Sequence, residues 1–167
     1  MFHVDIVEFL GYIMAKSGVN MTEKRLRVSI LDWIPPQSVK DVRIFIGFSN
    51  FYRRFIENFA KLCKPITDTL KTKGGKHSWF WVEEQNMAFK EFKERFTSAP
   101  SLAHFYPDQE TVIEPDARYC ALGGILSQYL GKRLHPVAFH SLKLNDGERK
   151  YEIHDKELLA ILEAFCE

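Results

Sequence analysis

Residues 111–128, TVIEPDARYCALGGILSQ, constrain this chain more than any other stretch. A short apolar run containing Val112 and Ile113 ends on an acid, Asp116; small residues and Gly123-Gly124 follow, and Ile125 and Leu126 belong to a second apolar run. The alternation predicts two strands joined by a tight turn, with the Asp116 carboxylate at the mouth of a sheet. An acid there is either a turn residue capping its own backbone or a place for a metal. The segment Tyr151 to Phe165, YEIHDKELLAILEAF, weighs toward the metal, because it predicts an amphipathic helix with Glu157 just ahead of an apolar stripe of Leu158, Leu162 and Phe165. A carboxylate closing a strand and another on the first turns of a packed helix can converge on one cation.

With 167 residues, 46% hydrophobic and 27% charged, the chain has room for one domain or two small ones and is neither fibrous nor disordered in composition. Cys63, Cys120 and Cys166 are widely spaced and form no C-x-x-C pair, so neither a disulfide framework nor a zinc module is expected; they read as small core residues in a reducing, intracellular setting. The apolar N-terminus is interrupted by Asp5 and Glu8 and lacks a basic leader, and no stretch has the length of a membrane span. His135, His140 and His154 have no ligand-like spacing and read as surface or structural residues.

A net charge of +1 argues against a general polyanion binder, but its distribution does not. Residues 38–77 carry nine basic against three acidic side chains, net +6; residues 82–116 carry three basic against eight acidic, net −5. A basic block beside an acidic one suits a molecule that holds phosphates at one end and metal at the other.

Along the chain, His3 to Met21 predicts a hairpin with Val7, Phe9 and residues 10–14 as apolar strand and Lys16-Ser17-Gly18 as the turn. So short a ribbon does not stand alone, and a larger body is expected before it. Thr22 is the expected N-cap of a helix through Trp33 that stops at Pro35-Pro36. Ser38 and Asp41 form a variant capping box that opens a second helix, through Val42, Phe45 and Ile46 to Phe55. A third short helix is expected to start near Pro65 and to end in Lys71-Thr72-Lys73-Gly74-Gly75. Glu83 to Thr97 predicts a helix with Ala88, Phe89, Phe92 and Phe96 as a core stripe. Strands over Thr111–Asp116, Ala121–Tyr129 and His135–Ser141 then precede the last helix. The fold class is α+β: an N-terminal hairpin, a small helical unit, a connecting helix and a β-β-β-α unit.

Within the basic block, Phe48 to Ile56, FSNFYRRFI, is the candidate for nucleic-acid contact. Arg53 and Arg54 can bind phosphate bidentately and Tyr52 offers a stacking face, with Lys61 and Lys64 nearby. The other reading of the same run puts Phe51, Phe55 and Ile56 in the core and leaves the arginines solvated.

Several motifs occur together and in order. The series D-A-R-Y-C-A-L-G-G-I-L-S-Q, H-P-V-A-F-H-S-L-K-L and Y-E-I-H-D-K-E-L-L-A-I resembles the first half of the ribonuclease H domain of gypsy-type LTR retrotransposon polyproteins. Upstream, F-L-G-Y-I, W-I-P-P, F-I-G-F-S-N-F-Y-R-R-F-I and K-P-I-T-D-T-L resemble the end of the reverse transcriptase of the same polyproteins, so the likeness covers essentially the whole chain. The resemblance implies the end of a palm (1–35), a thumb (36–77), a connector (78–100) and an incomplete ribonuclease H-like domain (101–167). It implies a duplex, an RNA–DNA hybrid above all, as partner of the thumb, and Mg²⁺ as cofactor, since two such ions activate the water and stabilise the leaving oxygen in phosphodiester hydrolysis.

Of the family's four acidic positions this sequence carries two, Asp116 and Glu157, and the polymerase acids are not in it. The expectation is therefore weak binding of one ion at best and no useful hydrolysis, unless a partner chain completes the sheet. Pro115, read as interrupting a central strand, and Arg118, a cation where the family has a small polar residue, point the same way. The alternative is a domesticated noncatalytic module that binds nucleic acid or protein, and a third reading is an inert frame.

Overall fold

The structure is a computed structural model that describes residues 5–9, 11–21, 29–71, 79–117 and 121–165. Thr22 as an N-cap, the glycine-rich end of the third expected helix, Arg118, Cys120 and Cys166 lie outside the described residues.

The chain opens with three strands, not two: β1 (Ile6–Phe9), β2 (Tyr12–Ala15) and β3 (Gly18–Met21) form an antiparallel meander in that order. Gly11, with φ 84°, splits what the sequence presents as one apolar run, because the left-handed backbone it adopts closes a turn between Phe9 and Tyr12. Gly18 has a second task. A Cβ there would lie 2.3 Å from the Leu102 carbonyl oxygen, and Val19 exchanges two backbone hydrogen bonds with Leu102, at 2.7 and 2.9 Å. Ala103 N–H then donates to Pro136 O at 2.8 Å, so residues 102–103 tie the first sheet to the second.

Helix α1 (Val39–Phe51) starts as expected, with Ser38 Oγ accepting from Asp41 N–H at 3.2 Å. The reciprocal bond is displaced by one residue, since Asp41 Oδ2 accepts from Gln37 N–H at 3.1 Å. A 3₁₀ turn (Arg53–Phe55) follows, and then α2 (Phe59–Asp68). Pro65 is inside this helix and does not open it. The buried face of Phe59, Leu62, Cys63 and Ile66 outweighs the bond that proline removes, and Asn58, whose left-handed backbone (φ 56°) suits a short amide side chain, makes the entry. Helix α3 (Glu83–Thr97) has the expected ends and buries Ala88, Phe89, Phe92 and Phe96.

These elements share one aromatic core. Phe45 lies 5.0 Å from both Phe89 and Phe92, Phe48 lies 5.2 Å from Tyr52, and Tyr52 lies 5.4 Å from Phe96. Each fully buried ring stabilises the fold by about 2–3 kcal/mol. Lys93 adds a polar clasp, donating to the carbonyls of Leu31 and Trp33, so burial, opposed by nearby Asp32, lowers its pKa.

The second sheet has β5 (Ala121–Leu130) between β4 (Thr111–Ala117) and β6 (Arg133–Lys143), all antiparallel, and α4 (Ile153–Phe165) follows. Among the described residues β4 pairs only with β5, so Pro115 sits on an edge strand, where proline costs least. Helix α4 departs from its expected orientation. Lys156 and Ala160 are buried, Ala160 against Leu122 and Leu144, while the stripe expected to pack is open to solvent: Leu162 is 54% and Phe165 74% exposed, and Leu158 is exposed as well. No helix among the described residues is long and apolar enough to cross a membrane.

Candidate nucleic-acid interface and acidic site

Asp116 is half-buried on β4 and pairs with Gly123 of β5. Cross-strand partners share a face, and the two glycines show which face is which. A Cβ on Gly123 would meet Asn58 Oδ1 at 2.9 Å, whereas one on Gly124 would lie 4.0 Å from the Ala164 and His140 side chains. The register thus sets Asp116 on the face turned toward Asn58 and α2, and α4 over the opposite face. Glu157 is on the second turn of α4; its side chain is 58% exposed and its Oε2 lies 3.9 Å from His154 Nδ1.

Mg²⁺ is bound through oxygens and gives up its waters reluctantly, so a pair of ions calls for several carboxylates in one hollow. Among the described residues no group of three or more His, Cys, Asp or Glu side chains is placed to hold a metal. Asp116 and Glu157, coming from opposite sides of the β4–β5 pair, do not by themselves fit a two-metal site.

On the helical half the basic residues divide into those that are engaged and those that face solvent. Tyr52, expected to offer a stacking face, is a core residue at 4% exposure, packed among Phe48, Phe51 and Phe96. Burial also raises its pKa. Lys64 is engaged with Asp68 at 3.1 Å, and Asp68 also holds Lys71 at 2.9 Å and, across from β6, Lys143 at 3.8 Å. Burial by itself would raise the Asp68 pKa, but hydrogen bonds from Lys71 and Lys64 outweigh it and hold the carboxyl below its ordinary value. Lys61 is exposed in a groove that Glu57, Glu84, Glu91 and Arg95 also line, where Arg95 lies 4.0 Å from Glu57 and 3.8 Å from Glu91.

Arg53 and Arg54 are both exposed on the 3₁₀ turn. They extend a row that the sequence reading did not single out: Lys40, Arg43, Gly47, Asn50 and Phe51 all face solvent on α1, opposite the buried Val42, Phe45 and Ser49. A Cβ on Gly47 would meet no atom within 4 Å. Phe51, which sequence reasoning weighed as core, is 46% exposed and is held from beneath by Tyr12, whose ring stacks on it at 5.0 Å and whose hydroxyl donates to its carbonyl at 2.8 Å. Burial, then the neighbouring Tyr52, against the opposing Arg54, pushes the Tyr12 hydroxyl up to about 12, so it stays a donor. The signal for this row was present as 3–4 residue spacing on one helix. It was obscured because Phe51 fits an aromatic core as readily as an exposed face.

Comparison with known proteins gives the family and the fold. Residues 81–167 match the family described as the RNase H-like domain found in reverse transcriptase. The Tf2-3 and Tf2-4 transposon polyproteins of Schizosaccharomyces pombe are 31% identical over 164 residues, 98% of this chain; the chain spans 12% of the length of these relatives. The fold is that of part of the foamy viral protease-reverse transcriptase. The structure of that protein with RNA/DNA hybrid superposes with a TM-score of 0.80 at 23% identity, covering 97% of this chain and 22% of the other. Its structure with dsDNA gives 0.81 at 22% identity, covering 96% and 33%.

Proposed function

The chain belongs to the family of RNase H-like domains found in reverse transcriptases, and we propose on that premise that it holds a nucleic-acid duplex along α1 as part of a retrotransposon Pol polyprotein. The exposed row on α1 carries this reading. Lys40 and Arg43 supply cations for phosphates, Gly47 allows the backbone of a strand to come close, and Phe51 with Arg53 closes the row. The likeness to a reverse transcriptase held with RNA/DNA hybrid or with dsDNA supports a duplex as the partner.

In this reading residues 36–77 act as thumb and 78–100 as connector, and the complete polyprotein performs RNA-directed DNA synthesis and hydrolysis of the RNA strand. Asp116 and Glu157 are proposed as two of the acidic positions of the nuclease. If Mg²⁺ binds there, it supplies Lewis-acid activation of a water. With two acidic positions in hand, the reading is of a chain that binds without cleaving until further acids, or a partner chain that completes the sheet, fill out the site. The same observation is what a noncatalytic binding module would show.

The test is hybrid binding by fluorescence anisotropy across a salt series. Lys40→Ala with Arg43→Ala should weaken binding and lower the log–log salt slope by about 2, one for each phosphate contact. An unchanged slope would remove α1 from the interface. Adding Mg²⁺ and following cleavage, with Asp116→Asn as control, separates binding from hydrolysis.

A further inference from the structure

Two cavities of about 320 and 310 Å³ adjoin between the first sheet, the 3₁₀ turn and β6, and they share Arg54, Phe105 and Val137. In the first, the polar groups of Tyr12 and His104 are already engaged, Tyr12 with Phe51 O and His104 Nε2 with Ala15 O at 2.7 Å. The second is lined chiefly by apolar residues, among them Ile113, Leu126, Ala138 and Ala164, with His140 and no acid. Arg54 is exposed at the junction of the two, and among the described residues no carboxylate forms an ion pair with it. An apolar hollow of this size with one cation at its rim has the make-up of a small-molecule site.

We propose that this cleft binds a small aromatic carboxylate, with the ring system over Ile113, Leu126 and Ala138 beside Phe105 and the carboxylate on the Arg54 guanidinium. The planar fork of the guanidinium matches a carboxylate with two parallel hydrogen bonds, and it keeps the charge at the solvent edge while the rings leave water. No acid in the lining repels the ligand.

The chain is titrated with 2-naphthoate and with the neutral 2-naphthalenemethanol while its amide resonances are followed. Naphthoate should move the signals of residues 105, 124–126 and 137–140, and the alcohol should bind about ten-fold more weakly for want of the charged bidentate pair. Arg54→Met should bring naphthoate down to the affinity of the alcohol and leave the alcohol unchanged, while Ala138→Phe, which fills the cavity, should abolish both. Arg54 is exposed, so Arg54→Met tests the proposal even if Ala138→Phe does not fold. Equal affinity for the two probes, an unchanged affinity in Arg54→Met, or shifts confined to the exposed Leu158, Leu162 and Phe165 of α4 would overturn it.

Discussion

Helices α3 and α4 carry the same apolar spacing and meet opposite fates. Phe89, Phe92 and Phe96 of α3 recur at intervals of three and four, as do Leu158, Ile161, Leu162 and Phe165 of α4. The first stripe is closed over by Phe45, Phe48, Tyr52 and Phe59. The second faces solvent, and α4 rests on its other side, where Ala160 is small enough to approach Leu122 and Leu144. A period of 3.6 tells that a helix has an apolar face; it does not tell what covers that face. In the helical half the cover is local, because rings from neighbouring helices converge on one cluster. In the β-β-β-α half the sheet offers a shallow, partly glycine surface that α4 meets through its smallest residues.

The contrast can be broken most sharply at Phe92. Phe92→Ala should destabilise the chain by about 3–5 kcal/mol, since the surrounding rings cannot collapse into the space left. Urea denaturation would show this, and a loss below about 1 kcal/mol would mean that the core is not shared as described. Gly18→Ala comes next. The new methyl meets Leu102 O and the backbone is at φ 140°, so a loss of about 1–3 kcal/mol is expected, together with faster amide exchange at Val19 and Leu102.

A smaller effect tests the polar link between the halves. Because the folded-state pKa of Asp68 is lowered, its contribution is present above the ordinary carboxylate value and is lost as pH falls through the folded-state value. The stability gap between the wild-type chain and Asp68→Asn should be constant from neutral pH downward and close only in acid; a gap that widens in acid would reverse the sign. The smallest effect is expected at Leu162, where Leu162→Ala should cost less than about 0.5 kcal/mol, as for other exposed positions. A loss as large as that at Phe92 would show that the α4 stripe is covered in solution.

Much of the local structure was legible. Ser38 marks the start of α1 because its hydroxyl answers a free N–H, and the bounds of α3 and the three later strands follow from their periods. The misreadings have particular causes. Pro65 reads as a helix start because proline is favoured there, yet buried contacts on both sides of it carry the helix through. Residues 10–14 looked like one strand, and Gly11 used its freedom to turn. Tyr52 reads as a stacking face beside two arginines, although its ring has better partners inside. Of the site, the basic character of the helical unit was readable, but the row through Gly47 and Phe51 was not, since exposure of a phenylalanine depends on what lies beneath it.

The order of elements from Ser38 onward in outline, the family and the residue types available for chemistry were legible in the sequence alone, because caps, periods and motifs act over a few neighbouring positions. Tertiary structure decided which face of each helix is covered, that Asp116 and α4 lie on opposite sides of the β4–β5 pair, and that Arg54 borders a cleft. Those outcomes depend on contacts between residues far apart in the chain, whose mutual distances no local pattern encodes.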